Sequence, residues 1–177
     1  NPYRDIDIHV IPSDRFRITF MVEYPLTALG TQYEAIYNME EDFAFEVAPA
    51  RTFCFLSEVE MLKERGLIKG GALDNAVVII DKEIDNNEMK RLKELFGLEH
   101  NIIQGANGIL NGKVLRFKNE PVRHKTLDLI GDLALLGVPI KGHVTAARAG
   151  HASNVEFVKK IKKAVSYTHL TLPTIRS

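Results

Sequence analysis

One helix-forming stretch carries a histidine and two carboxylates at the spacing of successive helical turns. His124, Asp128 and Asp132 are each four residues apart, so a helix places all three within an arc of about 80° on one face. An imidazole and a carboxylate one turn apart can both reach a single cation, and these ligand types suit Zn²⁺. The same spacing is typical of a solvated ion pair, so the pattern by itself leaves both interpretations open.

The stretch that carries these groups has the features of an amphipathic helix. It begins at Pro121, a residue favoured in the first turn, and it ends at Gly137. Opposite the polar groups, an apolar stripe is predicted to be buried; it consists of Val122, Leu129, Leu133 and Leu136. Asp132, one turn beyond Asp128, is placed to support a metal ligand or to transfer a proton. The helix therefore has its candidate functional groups on one face and its buried apolar residues on the other.

The elements around this helix predict an α+β fold. Short runs rich in β-branched and aromatic residues predict an antiparallel sheet over 6–11, 15–24, 32–37 and 43–50, with further strands at 76–81, 114–117 and 139–148. Helices are predicted at 57–65, opened by a Ser57/Glu60 capping box and stopped at Gly66, and at 87–96, 121–136 and 152–163. We expect a two-layer sandwich, with a mainly antiparallel sheet and helices packed on one face.

Composition narrows the class of protein. The 177 residues are 45% hydrophobic and 26% charged, which is typical of one globular domain or a close pair of small ones. Lys plus Arg and Asp plus Glu both number 23, so charge predicts no nucleic-acid partner. The single cysteine, Cys54, and the absence of a signal-like segment fit a cytoplasmic location. No apolar run approaches the roughly 20 residues that span a bilayer.

Both ends of the chain look unlike natural termini. The sequence enters a predicted strand directly after Asn1, which indicates truncation upstream. Residues 165–177, rich in Thr, Ser and Leu with one charge, resemble translated read-through of a sequencing adapter and are set apart from the fold. The alternative is a genuine terminal strand, since polar and apolar residues alternate there.

Four stretches together resemble one enzyme family. The sequence EPVRHKTLDLIGDLALLG at 120–137 resembles the signature helix of the UDP-3-O-acyl-N-acetylglucosamine deacetylases, the zinc enzymes of lipid A synthesis. ARTFCF at 50–55 resembles their conserved turn, GLIKGGALDNA at 66–76 the loop that follows, and GHASN at 150–154 their catalytic-histidine loop. The two motif histidines, His124 and His151, are 27 positions apart, as in the family. The resemblance extends from residue 1 to about residue 164.

The resemblance implies a role for each polar site residue. His124 and Asp128 would be two of three protein ligands of a catalytic Zn²⁺, with water in the fourth position. His151, paired with Asp132, would stabilise the oxyanion and protonate the leaving amine. Thr52 would hydrogen-bond the tetrahedral intermediate. Without the family, His151 is simply a loop histidine and Thr52 a residue at a strand end.

The resemblance also implies substrate contacts. Lys125 and Phe53 would contact the nucleotide and sugar portions of the substrate. Lys125 would also be one of the catalytic residues. The segment 56–78 resembles an inserted βαβ unit whose apolar channel holds the fatty acyl chain, lined by Leu56, Val59, Ile68, Leu73 and Val78. By their pattern alone, these five residues are ordinary core residues and Lys125 is a solvated helix lysine.

Two departures from the family qualify the prediction. The third zinc ligand, a histidine preceded by a glutamate that serves as general base, belongs to an N-terminal domain that these residues do not supply. We therefore expect 1–164 to be the C-terminal domain of a longer enzyme, inactive alone, with an acyl-channel insert at about 56–80. A second, helical insert at about 82–111 is found in some relatives fused to a 3-hydroxyacyl carrier-protein dehydratase.

The predicted activity is zinc-dependent hydrolysis of the N-acetyl group of UDP-3-O-acyl-N-acetylglucosamine, with release of acetate. One alternative is a nucleic-acid-binding module that uses the lysine-rich helix at 159–163, which the neutral net charge disfavours. The other is a non-catalytic binder of a lipid-linked nucleotide that lacks the third zinc ligand.

Overall fold

The computed structural model describes residues 5–25, 29–66, 76–96 and 105–171. They divide into two compact units. The first unit comprises Asn1–Val22, Tyr33–Ala48 and Val122–Ser177, and the second comprises Glu23–Gln32 and Pro49–Pro121. The predicted acyl-channel residues Ile68 and Leu73 lie outside the described residues.

The described elements follow one another in a mixed order. The strands are β1 (Asp7–Pro12), β2 (Arg17–Glu23), β3 (Thr31–Ile36), β4 (Thr52–Phe55), β5 (Ala76–Ile79) and β6 (Gly142–Ala147). The α-helices are α1 (Met39–Asp42), α2 (Val59–Glu64), α3 (Asn86–Phe96), α4 (Glu120–Leu133) and α5 (His151–Thr171). A π-helix at Phe43–Val47 continues α1, and 3-10 turns at Leu56–Glu58 and Ala134–Leu136 flank α2 and α4. Among the described residues, no helix has both the length and the apolar composition to cross a membrane.

The first unit contains a mixed four-stranded sheet, in the order β1-β6-β2-β3. β6 is antiparallel to β1 and parallel to β2, so that Val144 lies opposite both Val10 and Ile18. The sheet is therefore of mixed strand orientation, where a mainly antiparallel one was predicted. β6 takes an inner position because alternate residues along it are buried, whereas β1 is mostly exposed and ends at Pro12, a residue that cannot donate to a neighbouring strand.

The buried positions of the first unit follow the periods of its elements. Alternate residues of β2 are buried, as are the matching positions of β6, and α4 buries one stripe. These side chains are Ile18, Phe20, Val22, Val144 and Ala146 from the strands and Val122, Leu129 and Leu133 from α4. The predicted stripe is confirmed except at Leu136, which is half-buried. Because these apolar residues bury one side of α4, the candidate functional groups lie on its other, polar side.

The second unit contains a parallel pair of strands. β4 and β5 pair in parallel, with Phe53 opposite Val77, and α2 lies between them in the chain. Alternate residues of the pair contribute to two apolar clusters. One cluster contains Leu56, Val59, Val78, Leu92 and Leu110, and the other contains Leu29, Val77, Ile79 and Ile109. The sandwich layering and the role of this unit as an acyl-channel insert stay predictions.

Two predicted strands are wrong. Residues 43–50 form the π-helix and a turn, because Glu40, Glu41 and Asp42 occupy the first turn of α1, where carboxylates favour a helix. Residues 114–117 are irregular, and Val114 is 81% exposed, so its apolar character does not reflect a buried strand.

The end of α4 was predicted correctly, whereas α5 continues to Thr171 and not to the predicted 163, and the contacts of Ser57 before α2 differ from the prediction. α4 and its 3-10 turn close at Gly137, whose φ of 76° is a left-handed conformation that favours glycine. Near α2, the amide and hydroxyl of Ser57 both donate to the carboxylate of Asp81. Ser57 was predicted to form a capping box with Glu60, but its partner in the structure is Asp81, which is distant in sequence.

A deeply buried ion pair of the second unit joins Arg51 to Glu120. Glu120 is fully buried, and its oxygens accept Arg51 Nε at 2.9 Å and Nη2 at 3.0 Å. The backbone amides of Arg51 and Arg116 donate to the same carboxylate at 2.9 and 2.7 Å. Burial alone raises the pKa of Glu120, but the hydrogen bonds from Arg51 and Arg116 outweigh it and lower that pKa.

Substituting Arg51→Met is expected to lower the free energy of unfolding of this chain by about 3–5 kcal/mol at neutral pH, because it removes the cationic partner of a buried carboxylate. The lowered pKa of Glu120 stabilises the native chain above the carboxyl's unfolded pKa, and this stabilisation is lost as pH falls through the folded value. The deficit of the variant should therefore shrink in acid. Urea unfolding at several pH values measures it, with the exposed Arg65→Met as control. A deficit that does not depend on pH would contradict this account.

Candidate functional site

The polar face of α4 brings three of the predicted residues together. His124 Nε2 lies 3.4 Å from Asp128 Oδ1, and both side chains are mostly buried, at 16% and 13% exposure. Lys125 Nζ donates to the other oxygen, Asp128 Oδ2, at 2.8 Å. Asp128 therefore has one oxygen neutralised by a lysine and one directed toward an imidazole nitrogen.

The spacing of these two atoms fits two ligands of one metal ion. Zinc bonds to nitrogen and to carboxylate oxygen measure about 2.0–2.2 Å, so two ligand atoms at a tetrahedral angle are about 3.4 Å apart. His124 Nε2 and Asp128 Oδ1 have that separation. Within the described ranges, no group of three or more His, Cys, Asp or Glu side chains could hold a metal ion. The described part of the chain thus offers a pair of ligands.

A second polar group lies beside the pair. His151, the first residue of α5, has Nδ1 at 2.8 Å from Asp132 Oδ2 and Nε2 at 3.8 Å from Asp128 Oδ1. An ionised carboxylate can only accept a hydrogen bond, so Asp132 holds the proton of His151 on Nδ1. This leaves Nε2, on the side of Asp128, as the nitrogen that can exchange a proton with a substrate.

Hydrogen bonds in the loop before α5 fix the start of this helix. Arg148 has a φ of 56°, a strained value for a residue with a side chain, and its amide donates to Met21 O at 2.9 Å while its Nε donates to Asp5 O at 2.8 Å. Ser153 Oγ accepts from the Gly150 amide at 2.9 Å and donates to Gly150 O at 2.8 Å. These bonds fix the turn from which His151 extends.

The remaining predicted site residues belong to the second unit. Thr52 is exposed at the start of β4. Phe53 is half-buried, and its ring contacts Tyr24 and Phe55 edge-on, with centroids 5.9 and 6.3 Å apart. Their roles in binding stay predictions.

The predicted acyl-channel residues that the structure describes are core residues of the second unit. Leu56, Val59 and Val78 are at most 4% exposed and share one apolar cluster. Their contact with an acyl chain stays a prediction.

Two buried polar residues had no role in the sequence interpretation. Asn154 is fully buried and its Nδ2 donates to Asp132 Oδ2 at 2.9 Å. A signal was present, because an amide stands on the same helical side as the apolar Val158, where burial is expected. Glu120, directly before Pro121, looked like an ordinary first-turn carboxylate, and nothing local identified Arg51 as its partner.

Comparison with protein families finds one match. The family model described as UDP-3-O-acyl N-acetylglycosamine deacetylase matches residues 3–102 and 92–163. Both His124 and His151 lie within the matched residues.

Curated proteins with similar sequences have names from the same family. The chain is 52% identical over 164 residues to a bifunctional enzyme LpxC/FabZ of Chlorobaculum tepidum, covering 92% of this chain and 35% of that protein. It is 42% identical to the UDP-3-O-acyl-N-acetylglucosamine deacetylase of Chlamydia pneumoniae, covering 92% of this chain and 49% of the relative. A deacetylase of the same name from Syntrophotalea carbinolica is 44% identical over 87% of this chain and 42% of its own length. The chain thus spans about a third to a half of these relatives.

Proposed function

The chain belongs to the UDP-3-O-acyl N-acetylglycosamine deacetylase family, and on that premise we propose that the complete protein hydrolyses the N-acetyl group of UDP-3-O-acyl-N-acetylglucosamine with a bound Zn²⁺. The reaction releases acetate and serves lipid A synthesis, in the cytoplasm. One observation carries the proposal: the His124–Asp128 pair, 3.4 Å apart, lies beside the imidazole of His151. A pair of metal-ligating side chains next to a proton donor is what metal-assisted hydrolysis requires.

His124 Nε2 and Asp128 Oδ1 would hold the zinc ion, since they offer the ligand types and the separation that zinc requires. When bound, zinc would polarise the amide carbonyl and activate water as a nucleophile. Lys125, which donates to Asp128 Oδ2, would hold the carboxylate in the orientation that leaves Oδ1 for the metal. The third protein ligand and the general base would come from a domain outside this chain.

His151 would supply the proton to the leaving amine. Asp132 fixes the proton on Nδ1 and stabilises the imidazolium when Nε2 is also protonated. Nε2 would then donate to the amine nitrogen as its bond to the acetyl carbon breaks, while the cation stabilises the developing oxyanion. The 66% exposure of His151 leaves its ring accessible to a substrate.

Further residues carry the substrate-recognition part of the proposal. Thr52 would hydrogen-bond the tetrahedral intermediate, and Phe53 and Lys125 would contact the sugar and nucleotide. The acyl chain would lie against the cluster that contains Leu56, Val59 and Val78, with Ile68 and Leu73 nearby in sequence. Fusion to a dehydratase stays a prediction; the existence of bifunctional relatives is consistent with it.

A second candidate function follows from the number of ligands. Because zinc sites usually have three or four protein ligands, we propose that His124 and Asp128 by themselves bind zinc weakly and that this chain alone does not turn over substrate. Its isolated activity would then be that of a module that binds a lipid-linked nucleotide.

The test compares acetate release from UDP-3-O-acyl-N-acetylglucosamine by the complete protein and by this 177-residue chain. We expect turnover by the complete protein, loss of turnover after chelation, and recovery with stoichiometric Zn²⁺. We expect no turnover by the chain alone. Turnover that persists in a protein verified as metal-free would contradict the zinc proposal.

A further inference from the structure

Asn154 is fully buried in the first turn of α5, and its side chain has a single partner among the residues that the structure describes. Its Nδ2 donates to Asp132 Oδ2 at 2.9 Å, the same oxygen that His151 Nδ1 approaches to 2.8 Å. Resting on the function proposed above, we propose that Asn154 is a positioning residue of the reaction: its amide holds the Asp132 carboxylate in the orientation that aims His151.

The direction of the amide follows from the chemistry of its partner. A carboxylate can only accept, so the nitrogen of Asn154 must face Asp132 and the oxygen must point away. Within the described residues, Asn154 Oδ1 is buried and has no hydrogen-bond partner. A buried oxygen without a partner destabilises the fold, and an apolar side chain of similar size would avoid that cost. The bond to Asp132, and not stability, therefore accounts for an asparagine at this position.

The geometry shows how the amide would act through Asp132. Asp132 is mostly buried, whereas the His151 side chain is 66% exposed, so few packing contacts hold the imidazole. Its orientation depends on the oxygen that accepts its Nδ1 proton. His151 and Asn154 lie three residues apart on α5, and their donors meet at one oxygen from two directions. The second donor limits rotation of the carboxylate and thereby fixes the direction of His151 Nε2.

The test is the substitution Asn154→Leu in the complete protein, which keeps the branching and the number of heavy atoms of the side chain and removes the donor. We expect kcat to fall about 10- to 100-fold, as for other partners that orient a catalytic group, with KM and zinc content unchanged. We expect the Tm to stay the same or to rise. The control is Val158→Ala, one turn further along α5 and 3% exposed, which should lower the Tm and leave kcat unchanged.

A spectroscopic measurement gives a second readout. In ¹⁵N-histidine-labelled protein, His151 should be the Nδ1–H tautomer, and in the Asn154 variant both tautomers should be populated. If the leucine variant does not fold, Asn154→Ser, whose hydroxyl is too short to reach Asp132, takes its place in both measurements.

The outcomes separate this proposal from the function on which it rests. If His151→Ala and Asp132→Ala lose turnover while the Asn154 variant keeps full kcat, the positioning role is wrong and the proposed function stands. If the Asn154 variant loses zinc, or if KM changes as much as kcat, the residue has a structural role and the proposal is overturned. If His151→Ala and Asp132→Ala both remain active, the proton-transfer part of the proposed function fails as well.

Discussion

Replacing His151 by alanine in the complete protein is expected to lower kcat about 10²- to 10⁴-fold, the range that a positioned general acid contributes. The bound zinc should be unaffected, because His151 Nε2 is 3.8 Å from Asp128 Oδ1 and the proposed ligands are His124 and Asp128. Asp132→Ala should behave in the same way, since it removes the acceptor that fixes the imidazole at 2.8 Å. Steady-state kinetics with metal analysis of each purified variant measure both effects.

The control is another histidine of the same unit. His143 Nε2 lies 2.8 Å from Thr19 Oγ1 on the sheet, so His143→Ala should keep both zinc and kcat. Loss of zinc in His151→Ala, or a kcat within about threefold of the parent, would contradict the role of His151 as proton donor.

The second large effect concerns the two proposed zinc ligands. His124→Ala or Asp128→Ala is expected to weaken zinc binding more than about 100-fold, because even residues that only support ligands contribute 10- to 100-fold. Activity should fall in parallel with zinc occupancy. Competition with a chromophoric chelator measures the affinity, and acetate release at the same zinc concentrations measures activity.

A second substitution at Asp128 separates the effect of charge from the effect of shape. Asp128→Asn keeps the shape but removes the charge that zinc and Lys125 Nζ, at 2.8 Å, both require. It should therefore lose zinc nearly as completely as Asp128→Ala. Equal zinc loss in the variants of His124, Asp128, Asp132 and His151 would show that ligands and proton donor have been assigned wrongly.

The sequence predicted the helix that carries the site because every local signal agreed there. A proline in the first turn, a glycine after the last turn and an apolar stripe of period 3.6 indicate the same element, α4. The juxtaposition of His151 with Asp132 came from the family resemblance, because the residues between them include a strand whose position in the sheet no local pattern specifies.

The sheet order and the buried polar contacts could not be predicted for the same physical reason. β6 lies between β1 and β2, a choice governed by the burial of whole elements and not by the pattern of any one. Glu120 meets Arg51, 69 positions away, and Asn154 meets Asp132, 22 positions away. A single sequence identifies such residues as polar but does not identify their partners.

The proposed mechanism depends on one zinc ion that His124 and Asp128 hold jointly. Diffraction from crystals of the complete protein, measured on both sides of the zinc absorption edge, would locate that ion. We expect one anomalous peak at about 2.0–2.2 Å from both His124 Nε2 and Asp128 Oδ1, within reach of His151. A zinc peak at any other group of residues in protein that releases acetate would contradict it.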